Sequence, residues 1–134
     1  MTEAFEWLYK LSDIKGVLLV GSYGRGNPKS NSDIDLIIIV ENVTNFLETT
    51  DWLASGKESI ISIEYEDWIG VQSARVFYED KTEIEYSFTL KEWADIDPIE
   101  EGTYNVLNGG FKILYDPNNY FEELCDEYHR LNKK

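Results

Sequence analysis

Residues 16–40 read Gly16-Val17-Leu18-Leu19-Val20-Gly21-Ser22-Tyr23-Gly24-Arg25-Gly26-Asn27-Pro28-Lys29-Ser30-Asn31-Ser32-Asp33-Ile34-Asp35-Leu36-Ile37-Ile38-Ile39-Val40. A short apolar run closes on Gly21. A polar, glycine-rich turn follows, and a second apolar run opens with two carboxylates. Apolar runs of this length, bounded by turn residues, are the pattern of buried strands. Gly21 lets the backbone approach a bound group closely. A short helix is expected just after it, with Ser22 at the N-terminus, where free N–H groups favour phosphate. Asp33 and Asp35 stand two apart on the second strand and so share a face. Paired carboxylates repel unless a cation lies between them. Mg²⁺ is commonly held by one or two carboxylates together with substrate phosphates. The stretch therefore offers a phosphate cradle and half of a metal site.

A third acid comes later. Residues 81–88 alternate polar and apolar, with Glu83, Glu85 and Ser87 on one face and Ile84, Tyr86 and Phe88 on the other. Glu85 lies mid-strand, where an acid is costly unless it is paired or metal-bound. Glu83 stands nearer the strand start and is expected to be solvated, as are Glu64 and Glu66 at another strand end. Arg75 shares a face with Ser73 on the neighbouring strand. It reads either as a contact to the triphosphate or as a cross-strand partner of Glu83 or Glu85. Arg25, with Lys29 beyond it, is the basic residue near the glycine turn.

The 134 residues suffice for one domain with a real core, and 43% hydrophobic and 14% aromatic content marks a folded globular chain. A formal net charge of −14 argues against nonspecific nucleic-acid binding, which needs a basic footprint. The same charge suits a cationic acceptor such as an aminoglycoside, while solubility is the simpler origin of the charge. Cys125 is the only cysteine, consistent with a reducing compartment. The first residues lack a signal-peptide pattern, and no apolar run approaches the ~18 residues of a membrane span. A cytoplasmic protein that binds no membrane is expected.

The fold class expected is α/β (α+β): one domain over residues 1–134, with a mixed central β-sheet flanked by helices. Helices are expected at 3–11, capped by Thr2, from 42 or 44 to about 54, and from Asp116-Pro117 to about 131. Strands are expected at 59–65, 72–78, 82–89 and 111–115. A longer loop is expected at 66–71, and an irregular segment at 91–109 with one helical turn at 103–107. Cys125 reads as a core residue, His129 as a solvated helix end, residues 131–134 as a frayed tail, and Trp93 as a candidate wall of an acceptor pocket.

The order of these features, a Gly-Ser turn, Asp33-Ile34-Asp35 on the next strand and Glu85 on a later one, resembles the nucleotidyltransferase superfamily that includes DNA polymerase beta. Within it, the stretch is most similar to the minimal and the aminoglycoside nucleotidyltransferases. Residues 75–80, Glu83-Ile84-Glu85-Tyr86, Trp93 with Asp97-Pro98, and 110–116 add to the likeness, which covers about 14–120. The resemblance implies that Gly21 and Ser22 hold nucleotide phosphates, with Arg25 and Arg75 as further nucleotide contacts. It implies that Asp33, Asp35 and Glu85 bind Mg²⁺, two ions in all, and that Glu85 also activates the acceptor. The activity implied is transfer of a nucleoside monophosphate from an NTP, with ATP as the expected donor, to a hydroxyl of a small molecule such as an aminoglycoside-like acceptor. Two alternatives stay open: an antitoxin-like minimal nucleotidyltransferase that adenylylates or binds a partner protein, and a nucleotide-binding module without transfer activity. Because only a short helix follows the last strand, a homodimer mate or a helical partner protein is expected to complete the acceptor site.

Overall fold

A computed structural model describes residues 2–29, 33–56, 59–68 and 71–132. Six strands form one sheet: β1 (Ile14–Val20), β2 (Ile34–Val40), β3 (Ile60–Trp68), β4 (Val71–Tyr78), β5 (Glu83–Thr89) and β6 (Phe111–Tyr115). Their order is β3-β4-β5-β2-β1-β6. β2 and β5 run parallel and every other neighbouring pair runs antiparallel. The expected mixed sheet flanked by helices is the observed fold.

Two apolar layers cover the sheet, and the alternation along each strand sorts side chains between them. Val17, Leu19, Leu36, Ile38, Val76, Tyr86 and Phe88 face one layer, built by Phe5, Leu8, Phe46, Trp52 and Leu53. Leu18, Val20, Ile37 and Ile39 face the other, built by Ala94, Leu107, Phe121 and Leu124. β1 and β2 are thus buried on both faces, which is why they read as unbroken apolar runs. On β4 and β5 the second face is polar instead, with Ser73, Arg75, Glu85 and Ser87. The second helical layer covers β1 and β2 and leaves this part of the sheet open.

The helices depart from expectation where polar side chains compete with the backbone. The first begins as a 3₁₀ turn (Thr2–Phe5) and continues as α1 (Glu6–Tyr9). α2 spans Gly21–Arg25, where a short helix is expected. The single helix expected from 42 or 44 to 54 is instead α3 (Thr44–Leu47) and a 3₁₀ turn (Asp51–Leu53). Asn42 Oδ1 accepts from the Thr44 N–H at 3.0 Å, and Thr49 Oγ1 accepts from the Asp51 N–H at 3.1 Å. These local bonds restart the chain at each point and break the helix.

The segment expected to be irregular holds a 3₁₀ turn (Lys91–Ala94) and α4 (Glu101–Asn108), a full two turns. α5 (Tyr120–Leu131) starts later than expected, and Asp116 caps it from outside, accepting from the N–H groups of Phe121 and Glu122 at 3.1 and 2.8 Å. Residues 66–68 and 71, expected in a loop, belong to β3 and β4, and the rest of that expected loop is residues 69–70. Those two, residues 30–32 of the polar loop and the end of the tail at 133–134 lie outside the described residues. Cys125 is buried, as expected of a core residue, and burial pushes its thiol up to about 12.

Trp52 is the hub of the first layer. Its rings lie 5.0 Å from Tyr86, 5.2 Å from Phe88, 5.8 Å from Phe46 and 6.3 Å from Trp7, and its Nε1–H donates to the Phe46 carbonyl at 2.9 Å. Trp52→Ala is expected to cost about 3–5 kcal/mol in denaturant unfolding. A loss below about 1 kcal/mol contradicts the packing described.

Candidate active site

The strand register brings the predicted acids together. Asp35 on β2 lies opposite Glu85 on β5, Glu85 opposite Arg75 on β4, and Arg75 opposite Glu64 on β3. Asp33 stands just before β2, two residues from Asp35. At the other flank, Val20 pairs with Asp35, so the Gly21 turn emerges beside the same row. Gly21 has φ +69, and a Cβ built there would sit 2.7 Å from Asp35 Oδ2. Glycine is needed at this position on both counts: the backbone is left-handed, and the carboxylate occupies the space of a side chain.

Arg75 is the centre of this row. Its guanidinium pairs with Glu85 through Nη2 and with Glu83 through Nη1. Nη1 also lies 3.2 Å from Asp33 Oδ2, and Nε lies 4.0 Å from Glu66 Oε1. Of the two readings of Arg75, the cross-strand partner is the one seen. Glu83 is corrected from a solvated acid to a member of the cluster, whereas Glu66 stays exposed, as expected, and reaches Arg75 only at 4.0 Å. Glu83 was missed because a strand-end acid normally finds water, and nothing in the sequence tells that an arginine reaches it.

One cation does not balance this much negative charge. Burial, reinforced by the charges of Glu85 and Asp33, pushes Asp35 up to about 6. Burial also raises Glu85, against the lowering pull of Arg75. Burial and a hydrogen bond with Asp33 raise Glu83. For Arg75, burial acts downward, but the bond to Glu83 and the charge of Glu85 win and its pKa is raised. Among the described residues, no three metal-ligating side chains stand around a common point. Asp33, Glu83 and Glu85 turn toward Arg75 instead. The donor set, all carboxylate oxygens with a shortage of positive charge, is nevertheless the kind that a hard divalent cation takes.

A cavity of about 770 Å³ opens over the row. Its floor includes Asp33, Asp35, Glu85, Arg75 and the hydroxyls of Ser73 and Ser87, which bond each other at 2.8 Å. Its wall comes from the 3₁₀ turn and α4, with Trp93, Gly102, Asn105 and Val106. Trp93, expected at the wall of an acceptor pocket, lines this cavity. The helical turn expected at 103–107 lies inside α4, but nothing in the sequence tells that Gly102, Asn105 and Val106 line the cavity. Ser22 lies in the first turn of α2. The Arg25 guanidinium donates to the Gly109 carbonyl at 2.8 Å, so its charge is tied to a residue of the cavity wall. His129 is exposed at the end of α5, away from this cluster.

A sequence profile of the nucleotidyltransferase domain matches residues 1–123. No curated protein matches the chain. Among solved structures, the chain is similar to an aminoglycoside 6-adenyltransferase from Bacillus subtilis, with a TM-score of 0.52 and 16% identity. That match covers 69% of this chain and 36% of the other, and at this identity the likeness is one of fold. No helix among the described residues is long and apolar enough to cross a membrane.

The crowding of the row predicts a trade of stability for charge. In metal-free buffer, Asp35→Asn is expected to raise stability by about 0.5–2 kcal/mol, as relief of an unfavourable functional charge does. Thermal unfolding with a chelator present checks it. A clear loss of stability would show that Asp35 is held favourably by the fold.

Proposed function

As the chain belongs to the nucleotidyltransferase domain family, we propose that it transfers a nucleoside monophosphate from an NTP, ATP first, to a hydroxyl of a cationic small molecule such as an aminoglycoside-like acceptor. The observation that carries this reading is the register that sets Asp35 opposite Glu85, with Asp33 and the Gly21 turn beside them. These groups come from three separate segments and meet at the floor of one cavity.

Asp33, Asp35 and Glu85 would hold Mg²⁺, two ions in the expected stoichiometry. Bound there, the metal would neutralise phosphate charge and stabilise the attacking and leaving oxygens. Gly21 and Ser22 hold the phosphates through backbone N–H groups. Arg25 adds positive charge at the wall, and Arg75 adds it at the floor. In the metal-free protein, Arg75 serves as the resident counter-charge of the acids, and loading the site exchanges part of that pairing. Glu85 takes the proton of the acceptor hydroxyl. The acceptor oxygen then forms a bond to the α-phosphorus, the bond from that phosphorus to the bridging oxygen breaks, and pyrophosphate leaves.

A net charge of −14 supports a cationic acceptor through long-range attraction. The structural neighbour named for an aminoglycoside points the same way. A second reading, a protein acceptor in the manner of antitoxin-like members, draws on the open sheet edge. β3 is a terminal strand that leaves Ile61 65% and Tyr65 51% exposed. A homodimer mate or a helical partner protein would find backbone and apolar surface there.

Asp33→Asn and Asp35→Asn are each expected to lower Mg²⁺-dependent pyrophosphate release by at least about 100-fold while the protein stays folded. The assay runs each NTP against a panel of aminoglycosides. Full activity in either variant refutes the assignment of the acids. Nucleotide binding with no release for any acceptor would favour the non-transferring alternative.

A further inference from the structure

Gly102 is a glycine that the fold does not require. It is the second residue of α4, and glycine is a poor helix former, costing up to ~1 kcal/mol against alanine. Its backbone is not left-handed, and a Cβ built there meets no atom within 4 Å. Neither conformation nor packing explains the missing side chain. What Gly102 does is line the cavity, together with Trp93, Asn105 and Val106.

These four residues differ in chemistry from the floor. The floor is charged and hydroxylic, whereas this wall offers an indole, a branched apolar side chain, one amide and a bare patch of helix. Trp93 is held in place by its neighbours: its ring stands edge-on to Phe121 at 6.4 Å, and its carbonyl accepts from Thr103 Oγ1 at 2.8 Å. The second bond ties the Trp93 turn to α4, so the two parts of the wall are fixed relative to each other. A fixed aromatic face beside a side-chain-free helix turn suits a flat, weakly polar ring. The Asn105 amide presents both a donor and an acceptor, as the edge of a nucleobase requires. A cationic acceptor would be drawn instead to the acids at the floor.

We infer that Gly102 and Trp93, with Asn105 at the edge, form the nucleobase subsite of the cavity, and that Gly102 sets its width. The inference rests on the proposed nucleotidyl-transfer site and assigns the base to a wall that site leaves unexplained.

The test separates the base from the phosphates. Binding of ATP, GTP, CTP and UTP, and of inorganic tripolyphosphate, is measured calorimetrically with Mg²⁺ for the wild type, Gly102→Ala, Gly102→Leu, Trp93→Ala and Asp35→Ala. The Gly102 variants replace a glycine in open space with better helix formers, so their Tm is expected to be unchanged or raised. Gly102→Leu and Trp93→Ala are expected to weaken the preferred NTP by at least about tenfold, the size of one lost base–aromatic stack. Tripolyphosphate affinity is expected to stay at the wild-type value in both. An unchanged NTP affinity in Gly102→Leu, or an equal loss of NTP and tripolyphosphate, overturns the subsite while leaving the phosphate site standing. Failure of the wild type to bind NTP and tripolyphosphate alike, or full binding by Asp35→Ala, overturns the site itself and the subsite with it.

Discussion

Arg75 is asked to neutralise more negative charge than one guanidinium carries, and much of this molecule follows from that shortage. Glu85, Glu83, Asp33 and Glu66 all stand within ion-pairing distance of it, and Asp35 lies alongside in the same register row. In a partly buried setting such crowding is unfavourable, which the raised pKa values of Asp35, Glu83 and Glu85 express. A fold built for stability alone would not place two of these acids, Asp35 and Glu85, on facing strand positions. The arrangement is stable as a whole because the opposite face of the same strands is closely packed around Trp52, Tyr86 and Phe88. Packing on one face of β5 holds an electrostatic deficit on the other.

That division depends on the helical layer being incomplete. α5 seats Phe121 against β1, close enough that a Cβ on Gly16 would lie 2.8 Å from its ring. With α4 it closes the second face over β1 and β2. β4 and β5 extend past this cover, and the cavity is the space that remains above them. The parallel pairing of β2 with β5 then matters most. It sets Asp35 beside Glu85, although fifty residues of chain separate them. The Gly21 turn joins the row because β1 runs antiparallel to β2 and ends where β2 begins.

Much of this is legible in the sequence, for physical reasons that also explain the failures. The doubly buried strands β1 and β2 announce themselves by composition, and Asp33 and Asp35 stand out because carboxylates interrupt the start of an apolar run. Glu85 stands out for the same reason on a half-buried strand. The face shared by Arg75 and Ser73 follows from alternation alone. What the sequence conceals is reach and competition. Whether Glu83 meets water or Arg75 depends on a long side chain crossing strands, and no local pattern records it. The break between α3 and the Asp51–Leu53 turn depends on Asn42 and Thr49 bonding their own backbone. Only one turn of α4 is legible, at 103–107, because its start holds Gly102, a residue that speaks against a helix.

In the proposed function this acid row is a divalent-cation and nucleotide site whose resident counter-charge is Arg75. A calorimetric titration of the wild-type protein with ATP, GTP, CTP and UTP, each with Mg²⁺ and again with excess chelator, tests it. Saturable binding of at least one nucleotide is expected, requiring Mg²⁺ and disappearing with the chelator. Equal affinity in both buffers would mean that the acids take no part in holding the nucleotide through a metal, and would contradict it.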